Sequence, residues 1–405
     1  MRIGVVTWSS RRAGGVETYL ESIAAALAQS GHDVSLWAET DTPGDRPPMR
    51  LPAGIARFDL AHDLQAAFDW APDVLLVNGL NDTALESQLL RARPSVFVAH
   101  NFYGTCISGT KAWAFPIDRP CHREFGWPCL LHYFPHRCGG LSPITMVRLY
   151  ARERNRLAAL DSAGAIVTLS TYMRDEYVRH GLPPARVTCV PFGPEPGPAP
   201  APRSTRTSNA PRSLLSIGRL ERLKGIHLLL DALPLVHEAL GQPLSLTIIG
   251  DGPERPDLER RAAGISRGDG VAVTFAGWVS PDDRDRRLGD ADLLVVPSTW
   301  PEPFGLVGLE AARAGVPAAA FDVGGIRDWL IDGQTGALAP GDPPTAAGLA
   351  AAIVTCVHDE SRRATLGAAA RAAAARRSPE EHAAGLVGVF EALAGPRATG
   401  RDGGA

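Results

Sequence analysis

The sequence has little excess charge of either sign. Its 405 residues include 41 lysines and arginines and 44 aspartates and glutamates, which leaves a formal net charge of −3 at pH 7. A protein that binds nucleic acid needs a basic excess to neutralise phosphates, so this balance argues against a nucleic-acid partner. We expect a small molecule, or contact through a local surface patch.

Long apolar runs and targeting segments are also lacking. The most apolar stretch, residues 346–357, ends at a histidine and an aspartate and is shorter than the ~20 residues that span a bilayer. The first residues form a short apolar run without the apolar core and small-residue cleavage site of a signal peptide. These absences predict a soluble, cytoplasmic protein.

Cysteines are few, and their spacing lacks the close pairs that mark zinc sites. Four of the six, Cys106, Cys121, Cys129 and Cys138, fall in one irregular insert over residues 101–141. Without a C-x2-C pair we predict no metal, although zinc binding stays open beside reduced or locally paired cysteines. A loop of this length is usually functional, which predicts ligand recognition or a lid.

The sequence does contain the alternation of short β-branched runs and longer amphipathic stretches that is typical of parallel sheets covered by helices. The alternation covers residues 1–193, stops in a Pro-rich linker over residues 194–212, and resumes over residues 213–377. A capping pattern predicts a last helix over residues 378–394, for which packing back on the first domain is one option. We therefore predict an α/β protein of two Rossmann-like, doubly wound domains facing an interdomain cleft.

The loop and helix start over residues 297–310 are the most informative segment, because ligands of such sheets lie beyond the carboxyl ends of the strands. Glu302 and Glu310 are eight residues apart here. Gly305 keeps the turn tight, so that N–H groups near Gly305 and Leu306 can bind an anion at the helix N-terminus. Glu310 would suit vicinal hydroxyls, as the acidic ribose ligand of dinucleotide folds does. The alternative is that both carboxylates are solvated helix charges.

Two basic residues, Arg219 and Lys224, flank the loop after the first predicted strand of the second half. A forked guanidinium and an ammonium at the carboxyl end of a strand are suited to a diphosphate, although basic loop residues are more often only solvated. The glycine turn at Gly250 and the segment around Val279 follow other strands, and each is a weak signal alone.

In the first half, Gly15 lies between the first strand and the first helix, where glycine permits close approach of a ligand to the backbone. His100 ends an apolar strand and either faces the cleft or is a satisfied interior histidine.

Four arginines follow the insert on a predicted helix that begins near Ser142. We expect them to form a solvated face, with contact to an anionic membrane or a phosphorylated ligand as the alternative. They are Arg148, Arg152, Arg154 and Arg156.

The order of the motifs in the second half resembles the retaining glycosyltransferases of glycosyltransferase family 4, which have the GT-B fold. The resemblance covers residues 216–353 and extends to the Gly-Gly-Val-Glu segment at 14–17. Its motifs are Gly-Arg-Leu…Lys-Gly from 218, Gly-Asp-Gly-Pro from 250, Glu-Pro-Phe-Gly-Leu…Glu from 302, Gly-Gly-Ile from 324 and Asp-Gly-Gln-Thr-Gly from 332.

The resemblance implies a nucleotide-sugar donor in the second half and an acceptor site shaped by the first. We assign the insert over residues 101–141 to acceptor recognition or to a lid. By the match, Arg219 and Lys224 hold the diphosphate and Glu310 holds the ribose. Glu302 and the backbone at Phe304, Gly305 and Leu306 hold the sugar hydroxyls and phosphate, while Val279 meets the base. Gly250 and Gly15 complete the donor contacts, and His100 lies near the reacting sugar. The catalytic candidates are Glu302, His100, Arg219 and Lys224.

The implied reaction moves a sugar from a UDP- or GDP-sugar to a hydroxyl on a small glycoside, lipid-linked sugar or glycan. Retention is explained by same-face attack, in which the departing phosphate oxygen takes the acceptor proton. Neither a metal nor another cofactor is expected, because basic side chains and helix N–H groups can stabilise the leaving group. The alternatives are phosphorolysis or nucleotide-sugar epimerisation on the same fold, and a catalytically silent nucleotide-sugar-binding module.

Overall fold

The first half of the chain builds a seven-stranded parallel sheet. The structure is a computed structural model that describes residues 1–12, 14–40, 47–194, 211–265 and 270–394. Short runs of apolar residues form the strands because both faces of the sheet are covered by helices. The strands are β1 (Arg2–Ser9), β2 (Asp33–Thr40), β3 (Ala56–Asp59), β4 (Val74–Val77), β5 (Ser95–Ala99), β6 (Ala112–Trp113), β7 (Arg119–Pro120), β8 (Ala165–Thr168) and β9 (Val187–Cys189). The sheet order is β3-β2-β1-β4-β5-β8-β9, while β6 and β7 form a separate antiparallel pair.

The second half repeats this plan with a six-stranded parallel sheet. Its strands are β10 (Arg212–Ile217), β11 (Leu244–Ile249), β12 (Val271–Gly277), β13 (Leu293–Val296), β14 (Ala318–Phe321) and β15 (Gly336–Ala339). They run in the order β12-β11-β10-β13-β14-β15. The predicted α/β fold with two parallel, helix-covered sheets is confirmed.

Helices connect the strands of both sheets. Those of the first half are α1 (Gly15–Gln29), α2 (Leu60–Asp69), α3 (Thr83–Ala92), α4 (Pro128–His132), α5 (Pro143–Leu160) and α6 (Thr171–Arg179). The remaining helices are α7 (Ile226–Leu240), α8 (Arg255–Ile265), α9 (Pro281–Asp290), α10 (Leu306–Arg313), α11 (Ala346–Val357), α12 (Glu360–Ala374) and α13 (Pro379–Ala394). Within the described ranges, no helix combines the length and the apolar character needed to cross a bilayer.

The last helix, α13, packs against α1 of the first half. The Tyr19 hydroxyl and His382 Nε2 are hydrogen-bonded at 2.8 Å, and Leu386 and Phe390 are fully buried. Burial lowers the pKa of His382 to about 4, so this imidazole is neutral near pH 7. The linker predicted over 194–212 lies outside the described residues apart from its ends.

Loops beyond the carboxyl ends of the two sheets touch each other. After β8, the Ser170 hydroxyl donates to the Pro303 carbonyl at 2.5 Å, and the Thr171 N–H donates to the Asp328 carboxylate at 2.9 Å. Pro303 follows β13, and Asp328 ends the 3-10 turn after β14. The strand ends at which ligands of such sheets bind therefore face one another across the two halves.

Helix α5 differs from the expectation of a solvated basic face. Arg156 is buried and donates from Nε to Glu86 Oε1 at 2.8 Å, and Glu153 beside it accepts from the Gly104 N–H at 2.8 Å. The prediction of a solvated side chain is therefore wrong for Arg156, because a buried carboxylate pair lies where it packs. Arg148 and Arg154 are exposed, as expected.

Candidate active site

The centre of the candidate site is a direct ion pair between the two loops that carry the strongest motifs. Lys224 Nζ lies 2.6 Å from Glu302 Oε1, and the Ser298 hydroxyl donates to the same oxygen at 2.5 Å. Lys224 ends the turn after β10, and Glu302 lies in the loop after the neighbouring strand β13. The two loops are joined by the backbone as well, because the Thr299 N–H donates to the Leu223 carbonyl at 2.9 Å.

The surroundings of Glu302 favour its ionised form. Burial raises the pKa of Glu302, but the Lys224 ammonium and the hydrogen bonds from Lys224 and Ser298 outweigh it, so that the pKa lies below its usual value. Lys224 Nζ also lies 5.0 Å from the centroid of the Trp300 ring, within the range of a cation–π contact. The ammonium is only partly exposed, at 21% of its side-chain surface. The buried Glu302 carboxylate thus holds the Lys224 ammonium at the carboxyl end of the strands of the second sheet.

Gly225 fixes the position of Lys224. It adopts φ +68°, and a Cβ there would lie 1.8 Å from the Pro297 carbonyl oxygen. No side chain fits between these two loops, because the obstacle is backbone rather than the movable end of a side chain.

We expect Gly225→Ala to separate the two loops and to weaken donor binding. Gly241→Ala is a matched control, because Gly241 has φ +60° at the other end of α7 but nothing within 4 Å of its Cβ position. The left-handed conformation alone costs about 1–2 kcal/mol in either variant. Denaturant unfolding and nucleotide titration should show a larger stability loss and weaker binding for Gly225→Ala only, and equal losses in the two variants would contradict the prediction.

Helix α10 begins in the same loop. Gly305 caps it at φ +89°, and the Phe304 carbonyl before it accepts a 2.7 Å hydrogen bond from the Trp329 indole. The first N–H groups of a helix have no partner inside it, so Leu306 and its neighbours present the positive end of α10. The turn at 324–325 supports this loop from the other side, since the Gly325 N–H donates to the Glu302 carbonyl at 2.7 Å.

Glu310 lies on α10 about one and a half turns beyond Gly305. Its carboxylate is 3.1 Å from Arg284 Nη1 on α9. Burial raises the pKa of Glu310, and the Arg284 charge opposes that rise. Glu310 is therefore a paired, mostly buried carboxylate and not the solvated helix charge of the alternative interpretation.

The other predicted donor residues of the second half follow neighbouring strands of the sheet. Arg219 follows β10, is exposed and pairs with Glu221 at 2.8 Å. Gly250 follows β11 at φ +129°, where a Cβ would lie 2.0 Å from the Gly218 carbonyl oxygen. Val279 follows β12 and is half-buried. The structure therefore brings these residues to one edge of the sheet beside Lys224 and Glu302.

His100 and Gly15 lie at the corresponding edge of the first sheet. His100 follows β5, its Nε2 lies 2.9 Å from Asn78 Oδ1, and Tyr19 packs edge-on at 4.7 Å. The Asn78 amide nitrogen donates to the Val6 and Leu76 carbonyls, which leaves Oδ1 to accept from His100. Burial, with a smaller contribution from the charge of His382, lowers the pKa of His100 to about 3, so the ring is neutral and Nδ1 is its acceptor. Gly15 begins α1 directly beyond β1.

Sequence reasoning missed three partners of these residues. Ser298 and Arg284 contact the two carboxylates, and Asp118 of the insert lies 3.0 Å from Arg222, two residues before Lys224. The Pro-Ser pair at 297–298 was a visible signal for Ser298. No local sequence signal marks Arg284 or Asp118, because Arg284 and its partner Glu310, like Asp118 and its partner Arg222, lie far apart along the chain.

The cysteines of the insert are free thiols. Cys106 is buried, and Cys121, Cys129 and Cys138 are half-buried. Over the part of the chain that the structure describes, no three histidine, cysteine, aspartate or glutamate side chains are placed to hold a metal ion. Burial raises the pKa of Cys138 to about 12, which keeps this thiol protonated.

Comparison with known proteins identifies the family. Residues 14–193 match the model of the glycosyl transferase 4-like domain, and residues 201–373 match that of glycosyl transferases group 1. The chain is 30% identical over 400 residues to a glycogen synthase of Mycobacterium tuberculosis, covering 92% of this chain and 89% of the relative. It therefore belongs to the group 1 glycosyltransferases and is a sugar-transferring enzyme.

Other relatives agree with this assignment. A D-inositol 3-phosphate glycosyltransferase of Xylanimonas cellulosilytica is 27% identical over 412 residues, covering 93% of this chain and 91% of the relative. Two solved structures share the fold at 20% identity. Sucrose-phosphate synthase of Thermosynechococcus elongatus has a TM-score of 0.68 over 97% of this chain and 98% of its own. Anabaena HepE in complex with UDP-glucose has a TM-score of 0.65 over 96% and 99%. The predicted GT-B fold is thus confirmed.

Proposed function

We propose that this enzyme transfers a hexosyl group from a UDP- or GDP-sugar to a hydroxyl acceptor with retention of anomeric configuration. The observation that supports the proposal most directly is the Lys224–Glu302 contact of 2.6 Å, beside the N-terminus of α10. The contact provides a cation, and the start of α10 provides helix N–H groups, at the same edge of the second sheet. Both suit a diphosphate.

In the proposed reaction, the bond between the anomeric carbon and the diphosphate oxygen breaks as the acceptor oxygen attacks from the same face. The acceptor proton goes to the departing phosphate oxygen. Lys224, Arg219 and the N–H groups from Gly305 onward stabilise the charge that develops on the leaving group. Because the chain itself supplies these positive groups, we propose that the enzyme needs no metal.

The carboxylates and the first half have positioning roles in this proposal. Glu302 orients Lys224 and the donor sugar hydroxyls, Glu310 binds the ribose, and the backbone at Gly250, Val279 and Phe304 contacts the nucleotide. Neutral His100, with Nδ1 as an acceptor, faces the reacting sugar, and Gly15 lets α1 approach the phosphate. We also propose a cytoplasmic location for the enzyme.

A panel of UDP- and GDP-sugars, ranked by thermal stabilisation, tests the proposal. A ligand at about 100 times its Kd adds about 2.7 kcal/mol to the free energy of unfolding, so a true donor should raise Tm by several degrees. UDP-glucose is the first candidate, because the HepE structure contains it. Glu310→Ala should remove most of this shift, because it deletes the proposed ribose acceptor, whereas Glu238→Ala on the exposed side of α7 should not.

The same panel separates the alternatives. Donor hydrolysis without acceptor would exclude a silent binding module. Turnover supported by free phosphate, or epimer formation without acceptor, would contradict transfer to a hydroxyl. Stabilisation by none of the nucleotide sugars would overturn the proposal.

A further inference from the structure

Large apolar side chains are exposed mainly in one region of the molecule. Of the ten large hydrophobic residues that the structure shows as exposed, seven fall between residues 115 and 147, in the insert and at the start of α5. Single exposed hydrophobic residues are normal, but a concentration of them marks an interaction surface. We define the apolar tip as its five members on and between α4 and α5, which are Trp127, Leu131, Leu141, Ile144 and Val147.

The tip is built on two neighbouring helices. Leu131 follows the N-cap residue Trp127 of α4 by four residues, and Ile144 and Val147 are three residues apart on α5, so each pair shares a helix face. The helices pack on each other, with the Phe125 and Tyr150 rings 5.3 Å apart. Ile144 is 74% exposed and Leu141 is 72% exposed, so most of each side chain is in contact with solvent.

The charges around the tip are mostly positive. Residues 119–158 contain seven arginines and two glutamates. Arg119 pairs with Asp342, and Arg152 and Arg156 pair with the buried Glu153. The exposed charges that remain are those of Arg123, Arg137, Arg148 and Arg154 against Glu124. Arg148 and Arg154 continue the face of Ile144 and Val147 along α5, so apolar side chains at the helix start are followed by basic ones.

The base of the insert is firmly attached to the rest of the molecule. Lys111 is buried and bonds the Thr105 and Arg123 carbonyls and the Glu176 carboxylate of α6. Asp118 pairs with Arg222 beside the candidate site. Buried bonds to α6 and an ion pair with Arg222 thus attach the base of the insert to both halves.

We propose that the apolar tip inserts into the interface of a membrane that contains anionic lipids, with Arg137, Arg148 and Arg154 at the level of the headgroups. An apolar end with basic residues behind it is the arrangement that binds such an interface, since apolar burial and attraction to anionic headgroups act together. The positive charge around the tip favours an anionic membrane over a second copy of the chain, because the tip of a second copy would be positive as well and the two would repel each other. The docking does not depend on the identity of the donor.

Vesicle co-sedimentation of the full chain tests the proposal. We expect binding to phosphatidylcholine vesicles that contain phosphatidylglycerol, weaker binding to phosphatidylcholine alone, and weaker binding at about 1 M than at about 0.1 M salt. Ile144→Ser with Val147→Ser should lower the partition coefficient at least about tenfold, because two apolar side chains no longer enter the interface. Arg148→Gln with Arg154→Gln should lower it about 25-fold on anionic vesicles, at about fivefold for each charge.

Leu235→Ser with Ile331→Ser is the matched control, because both residues are exposed hydrophobics outside the tip. This variant should bind vesicles as strongly as the unchanged protein. The Tm of every variant should equal that of the unchanged protein. Absence of binding to anionic vesicles at low salt would overturn the proposal, as would equal binding by the tip variants. A concentration-dependent dimer abolished by Ile144→Ser with Val147→Ser, without vesicle binding, would also overturn it and would assign the tip to a second copy. Donor stabilisation of the tip variants reports the proposed function separately.

Discussion

Lys224→Ala is expected to lower kcat/KM for sugar transfer by about 10²- to 10³-fold. Removing one preorganised charge that stabilises a developing anion costs about 3–4 kcal/mol of transition-state stabilisation. Lys224 is the one cation that contacts the buried Glu302, at 2.6 Å, among the described residues. Steady-state kinetics with the donor found in the nucleotide-sugar panel measure the change.

Stability must be separated from catalysis in this experiment. Lys224→Ala leaves Glu302 as a buried carboxylate without its cation, which itself costs about 3–5 kcal/mol of unfolding free energy. The double variant Lys224→Ala with Glu302→Gln removes that charge and should recover stability without recovering activity. Arg260→Ala, at an exposed pair with Asp257 on α8, is the control for loss of a cation elsewhere in the same half. A folded Lys224→Ala enzyme with near-normal kcat/KM would refute the assignment.

Chemical modification of lysine is a second way to test the site, because the chain has few lysines. The sequence contains only two lysines, Lys111 and Lys224, and Lys111 is 1% exposed. A lysine-directed reagent should therefore modify Lys224 and the N-terminal amine while leaving Lys111 intact. A bound nucleotide sugar should protect Lys224 but not the N-terminus, as peptide mapping by mass spectrometry would show.

Lys111→Met is expected to lower the free energy of unfolding by about 3 kcal/mol, because the buried Glu176 loses the ammonium beside Oε1 and keeps only the Arg179 guanidinium on Oε2. The hydrogen bonds from Nζ to the Arg123 carbonyl, at 2.6 Å, and to the Thr105 carbonyl are lost as well. The methionine side chain keeps similar volume, so that the loss reports the charge and its bonds. Urea unfolding followed by circular dichroism measures it.

Two further variants serve as controls for the Lys111→Met measurement. Arg174→Ala removes an exposed partner of Asp175 and should leave the free energy of unfolding nearly unchanged, because water screens an exposed ion pair. Lys111→Met with Glu176→Met replaces the buried pair by apolar groups and should recover most of the loss, since such replacements are often neutral. Equal stability of Lys111→Met and Arg174→Ala would show that the insert is not held by this ion pair.

Most elements were predictable because their signals are local. Apolar runs mark β1, β5 and β10, and glycines at Gly225 and Gly305 occur where the chain takes positive φ. Because a doubly wound sheet collects its loops at one edge, the motifs could be assigned to one site without knowledge of the contacts. The family motifs added roles that no single loop could establish.

The pairings at long range could not be predicted in this way. Arg148 and Arg156 are both basic residues of α5, and nothing in the sequence distinguishes them. Arg148 is nevertheless exposed, whereas Arg156 lies against Glu86, 70 residues earlier in the chain. Glu310 likewise has the same sequence signature whether it is solvated or paired with Arg284. Burial depends on which element packs against a face, and residue spacing along one helix does not contain that information.

The sequence by itself determined the two parallel sheets and the loops that bear the donor motifs, because hydrophobic periodicity and glycine positions act over a few residues. The order of these motifs also indicated the family, through its resemblance to known glycosyltransferases. Only the tertiary structure decided that Lys224 and Glu302 are bonded, that His100 is neutral with Nδ1 as its acceptor, and that the insert exposes its apolar residues beside arginines. These properties depend on distances between segments far apart along the chain, and therefore on desolvation and Coulomb interactions that exist only once the chain is folded.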